Sequence, residues 1–233
     1  MNIQQYSKNS IILLLFLILI ASTSCSTRIG IQIAEDSTET IHCAIQPDET
    51  LESTILSFSG AQEGSSIYNP SVLSDSLTAA GFSINQMSFP HNTGIDLTIQ
   101  TDEMLIPGCT VTNNSFTWII TPETMKEIIA LTPEETRSYV DLLMAPIITG
   151  EELTSQEYNN LIASMYGSTL ATKLSSSVVT ISFTTPNEIT SATLEPQNCG
   201  SVEIKGKNAE FTLPLDKFLS LFSGVKFCIQ WNE

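Results

Sequence analysis

The feature that most constrains the fold of this chain is an alternation of apolar and polar residues close to its N-terminus. Isoleucine or cysteine occupies every second position of residues 29–33 and again of residues 41–45. Successive side chains of a β-strand point to opposite faces, so this period of two is typical of strands with one buried face. The two runs therefore predict a β-hairpin.

Shorter apolar runs predict further strands along the rest of the chain. These strands are expected at residues 84–89, 95–99, 116–120, 179–183, 189–194, 202–204, 211–215 and 225–231. Residues 46–70 are polar, acidic and weakly patterned, and we expect them to form mainly a loop.

Helices are predicted where hydroxyl residues precede proline or acidic residues, because such residues cap helix N-termini. Thr121, Thr132 and Thr154 each begin a segment of this kind. The predicted helices cover residues 71–80, 122–130, 133–144, 155–173 and 216–221.

The helix predicted at 155–173 is amphipathic, and it is the strongest candidate for an apolar binding surface. Its apolar face consists of Tyr158, Leu161, Ile162, Met165 and Leu170. Such a face most often packs against a core; the functional alternatives are that it lines an apolar cavity or lies on a membrane.

The order of elements predicts an α+β fold with mainly antiparallel sheets and packed amphipathic helices. A short internal repeat is also present, because Ser88-Phe89 and Ser182-Phe183 are followed at similar distances by an isoleucine, a cysteine and a Phe-Thr pair. This repeat predicts two helix-strands-helix modules at about 71–131 and 155–231 within a domain that covers 29–233.

The first 24 residues have the order of a secretory signal peptide. Lys8 precedes an apolar run of 11 residues, which is short for a membrane-spanning helix, and small and hydroxylated residues follow. Cys25 closes this segment, with Ser22 three positions before it and Ser24 directly before it.

This arrangement resembles the lipobox of bacterial lipoproteins, although that family prefers leucine and alanine or glycine at the positions of Ser22 and Ser24. The resemblance implies that residues 1–24 are removed, that Cys25 receives a diacylglycerol, and that residues 25–28 form a very short tether. The membrane would then be a partner through the acyl chains. Ser26 lacks the aspartate that retains enterobacterial lipoproteins at the inner membrane, so the outer membrane is the favoured location.

The order of elements also resembles treponemal outer-membrane-associated lipoproteins, which contain mixed α/β modules and amphipathic helices. This resemblance implies a lipid or an envelope protein as a partner. This second resemblance identifies no functional residue other than Cys25.

Composition excludes nucleic acid as a partner. The chain has a formal net charge of −16, and no Lys or Arg occurs between Arg28 and Lys126. Such a surface repels phosphate backbones.

Four cysteines remain after Cys25, namely Cys43, Cys109, Cys199 and Cys228. An even number in an exported protein permits disulfides, and free thiols are the alternative. Their spacing contains no pattern typical of a zinc site.

No motif of an enzyme or of a cofactor site is present. His42 and His91 are the only histidines that could serve a serine nucleophile as a base, and no GxSxG sequence occurs. We therefore expect a non-enzymatic, lipid-anchored envelope protein that binds no cofactor and acts through an interaction surface. The alternatives are a carrier of a fatty acid or phospholipid in an apolar cavity and, third, an extracytoplasmic hydrolase.

Overall fold

A computed structural model describes residues 26–34, 38–46, 69–79, 81–92, 94–101, 108–130, 144–220 and 224–233. Helices and mostly antiparallel sheets confirm the predicted α+β class. The predicted signal peptide, Cys25, most of the 46–70 loop and the 133–144 helix except for Met144 lie outside these residues.

Eleven strands are present in the described part of the chain, and most coincide with predicted ones. In chain order they are β1 (Ser26–Ile33), β2 (Glu39–Gln46), β3 (Ser83–Ser88), β4 (Ile95–Thr101), β5 (Cys109–Thr112), β6 (Ser115–Ile120), β7 (Val178–Thr184), β8 (Ile189–Glu195), β9 (Ser201–Lys205), β10 (Asn208–Pro214) and β11 (Val225–Trp231). Only β5 lacks a predicted counterpart; its side chains are half-buried at Cys109 and Val111, which gives a weak pattern.

The strands form two sheets. The larger has the order β3-β4-β2-β1-β7-β10-β9 and the smaller has the order β5-β6-β11-β8. The predicted hairpin is confirmed, since β1 pairs antiparallel with β2. On its other side β1 pairs in parallel with β7, which places the first strand in the interior of the larger sheet.

Aromatic side chains join the two sheets face to face. Phe116 of β6 lies 4.8 Å from Phe183 of β7, measured between ring centroids. Phe211 of β10 lies 5.2 Å from Phe227 of β11 in an edge-to-face arrangement. Such ring pairs contribute roughly 0.5–1.5 kcal/mol beyond the burial of their area. The sheets therefore form a sandwich whose interior is filled at this position.

Six α-helices accompany the sandwich in the described residues. They are α1 (Pro70–Ala79), α2 (Pro122–Ala130), α3 (Ala145–Thr149), α4 (Ser155–Tyr166), α5 (Ser168–Ser176) and α6 (Leu215–Leu219), and two 3-10 turns lie at Pro90–Asn92 and Gln197–Cys199. None of the described helices has the length and apolar character needed to cross a membrane.

The single helix predicted at 155–173 was wrong, because it is divided into α4 and α5. Gly167 has a φ of 94°, which lies outside the helical region, and it caps both helices. Glycine adopts this conformation readily because it has no Cβ. Thr154 begins α4 with a capping box: its hydroxyl accepts from the Glu157 amide at 3.2 Å, and its own amide donates to the Glu157 carboxylate at 2.9 Å.

The structure does not confirm the two-module repeat. A helix, four strands and a helix follow one another in both parts of the chain. However, β3 and β4 are neighbours in one sheet, whereas their counterparts β7 and β8 belong to different sheets. The two segments therefore share an order of elements without sharing their strand pairing.

Candidate functional site: the helical end of the sandwich

The first described strand, β1, begins at Ser26, directly after the predicted lipidation site. The predicted tether at 25–28 is thus too long, since Ser26, Thr27 and Arg28 already belong to β1 and pair with β2. Thr27 is buried in the same inward-facing row as the apolar residues of β1. Strand β1 is paired on both sides, and Cys25 directly precedes it in the sequence.

Most of the helical segments lie at the end of the sandwich where β1 begins. At this end β6 runs into α2, β10 runs into α6, and α5 runs into β7. The turn Pro90–Asn92 precedes β4 here, and the turn Gln197–Cys199 connects the two sheets. We call this the helical end.

The opposite end carries tight connections between strands. The links β1–β2, β5–β6, β7–β8 and β9–β10 all lie there. The amide of Ile189 donates to the Gly206 carbonyl at 3.0 Å, which holds the β7–β8 and β9–β10 links together. We call this the hairpin end.

Hydrogen bonds fasten α6 to the helical end. The amide of Leu215 donates to the carbonyl of Ser177 at 2.9 Å, which joins the start of α6 to the residue before β7. The Lys217 ammonium donates to the Asn198 carbonyl at 2.6 Å, which joins α6 to the turn between the sheets. The segments next to β1 therefore form one connected surface.

A buried polar group lies between α4 and α6. Asn159 donates from its amide nitrogen to the Asp216 carboxylate at 3.1 Å, and the Lys217 backbone amide donates to the same carboxylate at 2.8 Å. Burial, followed by the nearby Asp216 and then Tyr166, raises the pKa of Tyr158 far above its ordinary value. The tyrosine is therefore neutral at physiological pH, and the group serves to orient α4 against α6.

The residues predicted for an apolar cavity or a membrane-facing helix are not brought together on one surface. Tyr158, Ile162 and Leu170 belong to the core, whereas Leu161 is half-buried. Met165 keeps 49% of its surface exposed. Three of the five therefore pack inside the domain.

The four cysteines for which the sequence allowed disulfides or free thiols are all free thiols, at Cys43, Cys109, Cys199 and Cys228. Burial raises the pKa of the Cys43 thiol to about 12, and the nearby Asp96 adds to the shift. Burial also raises the pKa values of Cys109 and Cys199. A thiolate is the reactive form of cysteine, so burial lowers the reactivity of these three side chains in the folded protein.

The two histidines are exposed and lie on separate elements, His42 on β2 and His91 in the turn Pro90–Asn92. His42 pairs with Asp96 on the open face of the larger sheet, with 3.1 Å between Nε2 and Oδ1. Ser182 lies on the same row beyond Gly30, and its hydroxyl donates to the Ile29 carbonyl at 3.4 Å. No hydrogen bond joins these described His and Ser side chains, as a base and a nucleophile would require. His91 is exposed in the turn Pro90–Asn92.

Glu39 is a buried residue that the sequence analysis did not identify. It is 2% exposed, and its Oε2 has no hydrogen-bond partner within the described structure. Burial raises its pKa from 4.5 to about 7. The alternation of β2 could have revealed it, because Glu39 is in phase with the inward-facing Ile41, Cys43 and Ile45. It lies at the hairpin end, away from Ser26.

The described part of the chain contains no group of three or more His, Cys, Asp or Glu side chains that could hold a metal ion. The chain matches no protein-family model, no curated protein and no solved structure at a significant level.

Proposed function

We propose that this protein is a lipid-anchored envelope protein without enzymatic activity, which acts through contacts of a domain held close to its membrane. One observation carries the proposal. The paired strand β1 starts at Ser26, the residue after the cysteine that resembles a lipobox cysteine. A residue spans at most about 3.6 Å, so acyl chains on Cys25 would hold the sheet next to the lipid headgroups.

The proposal extends to location and partners. Export and cleavage before Cys25 would leave acyl chains on the new N-terminal residue, with the outer membrane favoured over the inner membrane. Two or three acyl chains suffice for stable attachment, whereas one chain binds only marginally. A domain held in this way meets partners within the envelope, either lipids or proteins at the membrane surface.

The alternative role, a carrier of a fatty acid or phospholipid, would require an apolar cavity. The interior between β6, β7, β10 and β11 is occupied by aromatic rings, with Phe183 contacting both Phe116 and Phe211. A carrier would therefore need space elsewhere in the molecule. The hydrolase alternative receives no support from the geometry of His42 and Ser182.

Metabolic labelling with an alkyne analogue of palmitate tests the anchor. We expect the full-length protein to be labelled in bacterial cells and the Cys25→Ala variant to be unlabelled, because Cys25 is the thiol that directly follows the signal-like segment. Cys228→Ala serves as the matched control and should retain the label. Unlabelled wild-type protein, or a Cys25→Ala variant that keeps its label, would refute the proposal.

A further inference from the structure

The connection at Ser26 restricts how an anchored domain can be oriented. Strand β1 has eight residues, and a strand rises about 3.3 Å per residue. The hairpin end therefore lies about 26 Å further along the strand than the helical end. A strand that stands upright on the membrane, with Cys25 at the surface, would place the hairpin end further from the lipid by this amount.

The helical end carries most of the basic side chains that the structure describes. Five of the seven described Lys and Arg residues lie there, namely Arg28, Lys126, Lys173, Lys217 and Lys226. Seven acidic residues accompany them, namely Asp96, Glu123, Glu151, Glu152, Glu157, Glu195 and Asp216. This end is therefore less acidic than the chain as a whole, which has a net charge of −16.

Two of these lysines stand close to β1. Lys173 lies in the last turn of α5, which leads into β7, the direct neighbour of β1. Lys217 belongs to α6, which follows β10, the next strand after β7. Adjacent strands are about 4.8 Å apart, so α6 starts about 10 Å from β1 across the sheet. Both amines are within reach of the headgroups around an acylated Cys25.

We propose that the helical end lies on the phosphate-bearing headgroup layer of the membrane, with Lys173 and Lys217 at the level of the phosphates, and that the hairpin end points away from it. This inference rests on the proposed anchoring at Cys25. Apolar insertion of α4 and α5 does not contribute, because Ile162, Leu170 and Leu174 are buried in the core. The short connection sets the orientation, and the basic side chains at this end supply contacts to the headgroup phosphates.

The chain contains a matched pair of lysines for the test. The Lys217 ammonium at the helical end donates to the carbonyl of Asn198, and the Lys207 ammonium at the hairpin end donates to the carbonyl of Pro186. Both side chains are exposed. They lie at opposite ends of the sandwich, so lipid contact should slow the modification of Lys217 and leave that of Lys207 unchanged.

The experiment uses full-length protein purified from bacterial membranes and reconstituted into vesicles of phosphatidylcholine and phosphatidylglycerol at three to one. Brief treatment with sulfo-N-hydroxysuccinimidyl acetate is followed by proteolysis and mass spectrometry of each lysine. Relative to Lys207, we expect acetylation of Lys217 to be at least about fivefold slower on vesicles than in the soluble Cys25→Ser protein, since an occluded amine reacts only through its open fraction. Lys173 should follow Lys217.

A second variant tests whether the protection of Lys217 depends on the short connection between Cys25 and Ser26 or on an affinity of the helical end for lipid. A flexible Gly-Ser linker of 20 residues between Cys25 and Ser26 has an end-to-end distance of about 25 Å. It should keep the protein on the vesicles and remove the protection of Lys217. Equal protection with the linker, or equal rates for Lys217 and Lys207 in the acylated wild-type protein, would overturn the inference alone. Intact mass spectrometry that finds no acyl chain on Cys25 would overturn the inference and the proposed function together.

Discussion

Glu39 gives the most direct test of how the sandwich interior is built. The residue is 2% exposed and lies in the inward-facing row of β2. Within β2 it pairs with Ile33 of β1 and with Thr101 of β4. Replacing it by glutamine removes the ionisable group and keeps the size of the side chain, so the variant isolates the effect of the charge.

The magnitude follows from the pKa. Burial raises the pKa of Glu39 from 4.5 to about 7, so the folded protein retains this proton at pH values where the unfolded chain has lost it. Stability therefore falls as pH rises through this interval. One pKa unit corresponds to about 1.4 kcal/mol, and the full shift means that ionised Glu39 costs the folded state about 3 kcal/mol.

The assay is urea denaturation of wild type and Glu39→Gln at pH 5 and pH 8, followed by tryptophan fluorescence. We expect the variant to be more stable than wild type by about 3 kcal/mol at pH 8 and by less than about 1 kcal/mol at pH 5. Comparing the same substitution at two pH values cancels the titration of the other carboxylates.

A Glu39→Gln variant that is equally or less stable than wild type at pH 8 would refute this reasoning. That result would mean that the ionised carboxylate is stabilised in the folded protein. Glu203→Gln is the matched control, because Glu203 is exposed on β9 and pairs with Lys205 at 3.0 Å. It should change the free energy of unfolding by less than about 1 kcal/mol at either pH.

Two further predictions concern the core and the thiols. Phe183→Ala should lower the free energy of unfolding, measured by urea denaturation, by about 3–5 kcal/mol. The reason is that the Phe183 ring is fully buried and contacts Phe116, Phe211 and Phe227. Little loss of stability would contradict this packing. In the folded soluble Cys25→Ser protein, Ellman's reagent should label the half-buried Cys228 before the buried Cys43. After unfolding, the reagent should find four thiols. Fewer than four would indicate a disulfide.

Local patterns were sufficient to predict most elements and the fold class. The hairpin of β1 and β2 follows from a period of two over residues 29–33 and 41–45. The start of α4 follows from Thr154 and Glu157, which form a capping box within four residues. These signals succeed because each depends on contacts between near neighbours in the chain or on one buried face of one element.

Errors arose where a local pattern continued across a change in backbone direction. Apolar residues keep a helical spacing through 155–173, although Gly167 ends α4 at φ 94° and α5 then runs separately. The apolar face predicted on this segment is divided between the core and the surface, since Tyr158 and Leu170 are buried and Met165 is exposed. Glycine is tolerated in helical patterns, so its presence alone did not mark the break.

The sequence by itself determined the strand and helix patterns, the acidic charge and the lipobox-like Cys25. Only the tertiary structure decided which strands share a sheet, that β1 lies between β2 and β7, and that the helices gather at the end next to Ser26. It also decided that Glu39 is buried. The physical reason is that periodicity shows which face of an element is apolar, whereas the element that covers this face is brought there by contacts between distant parts of the chain.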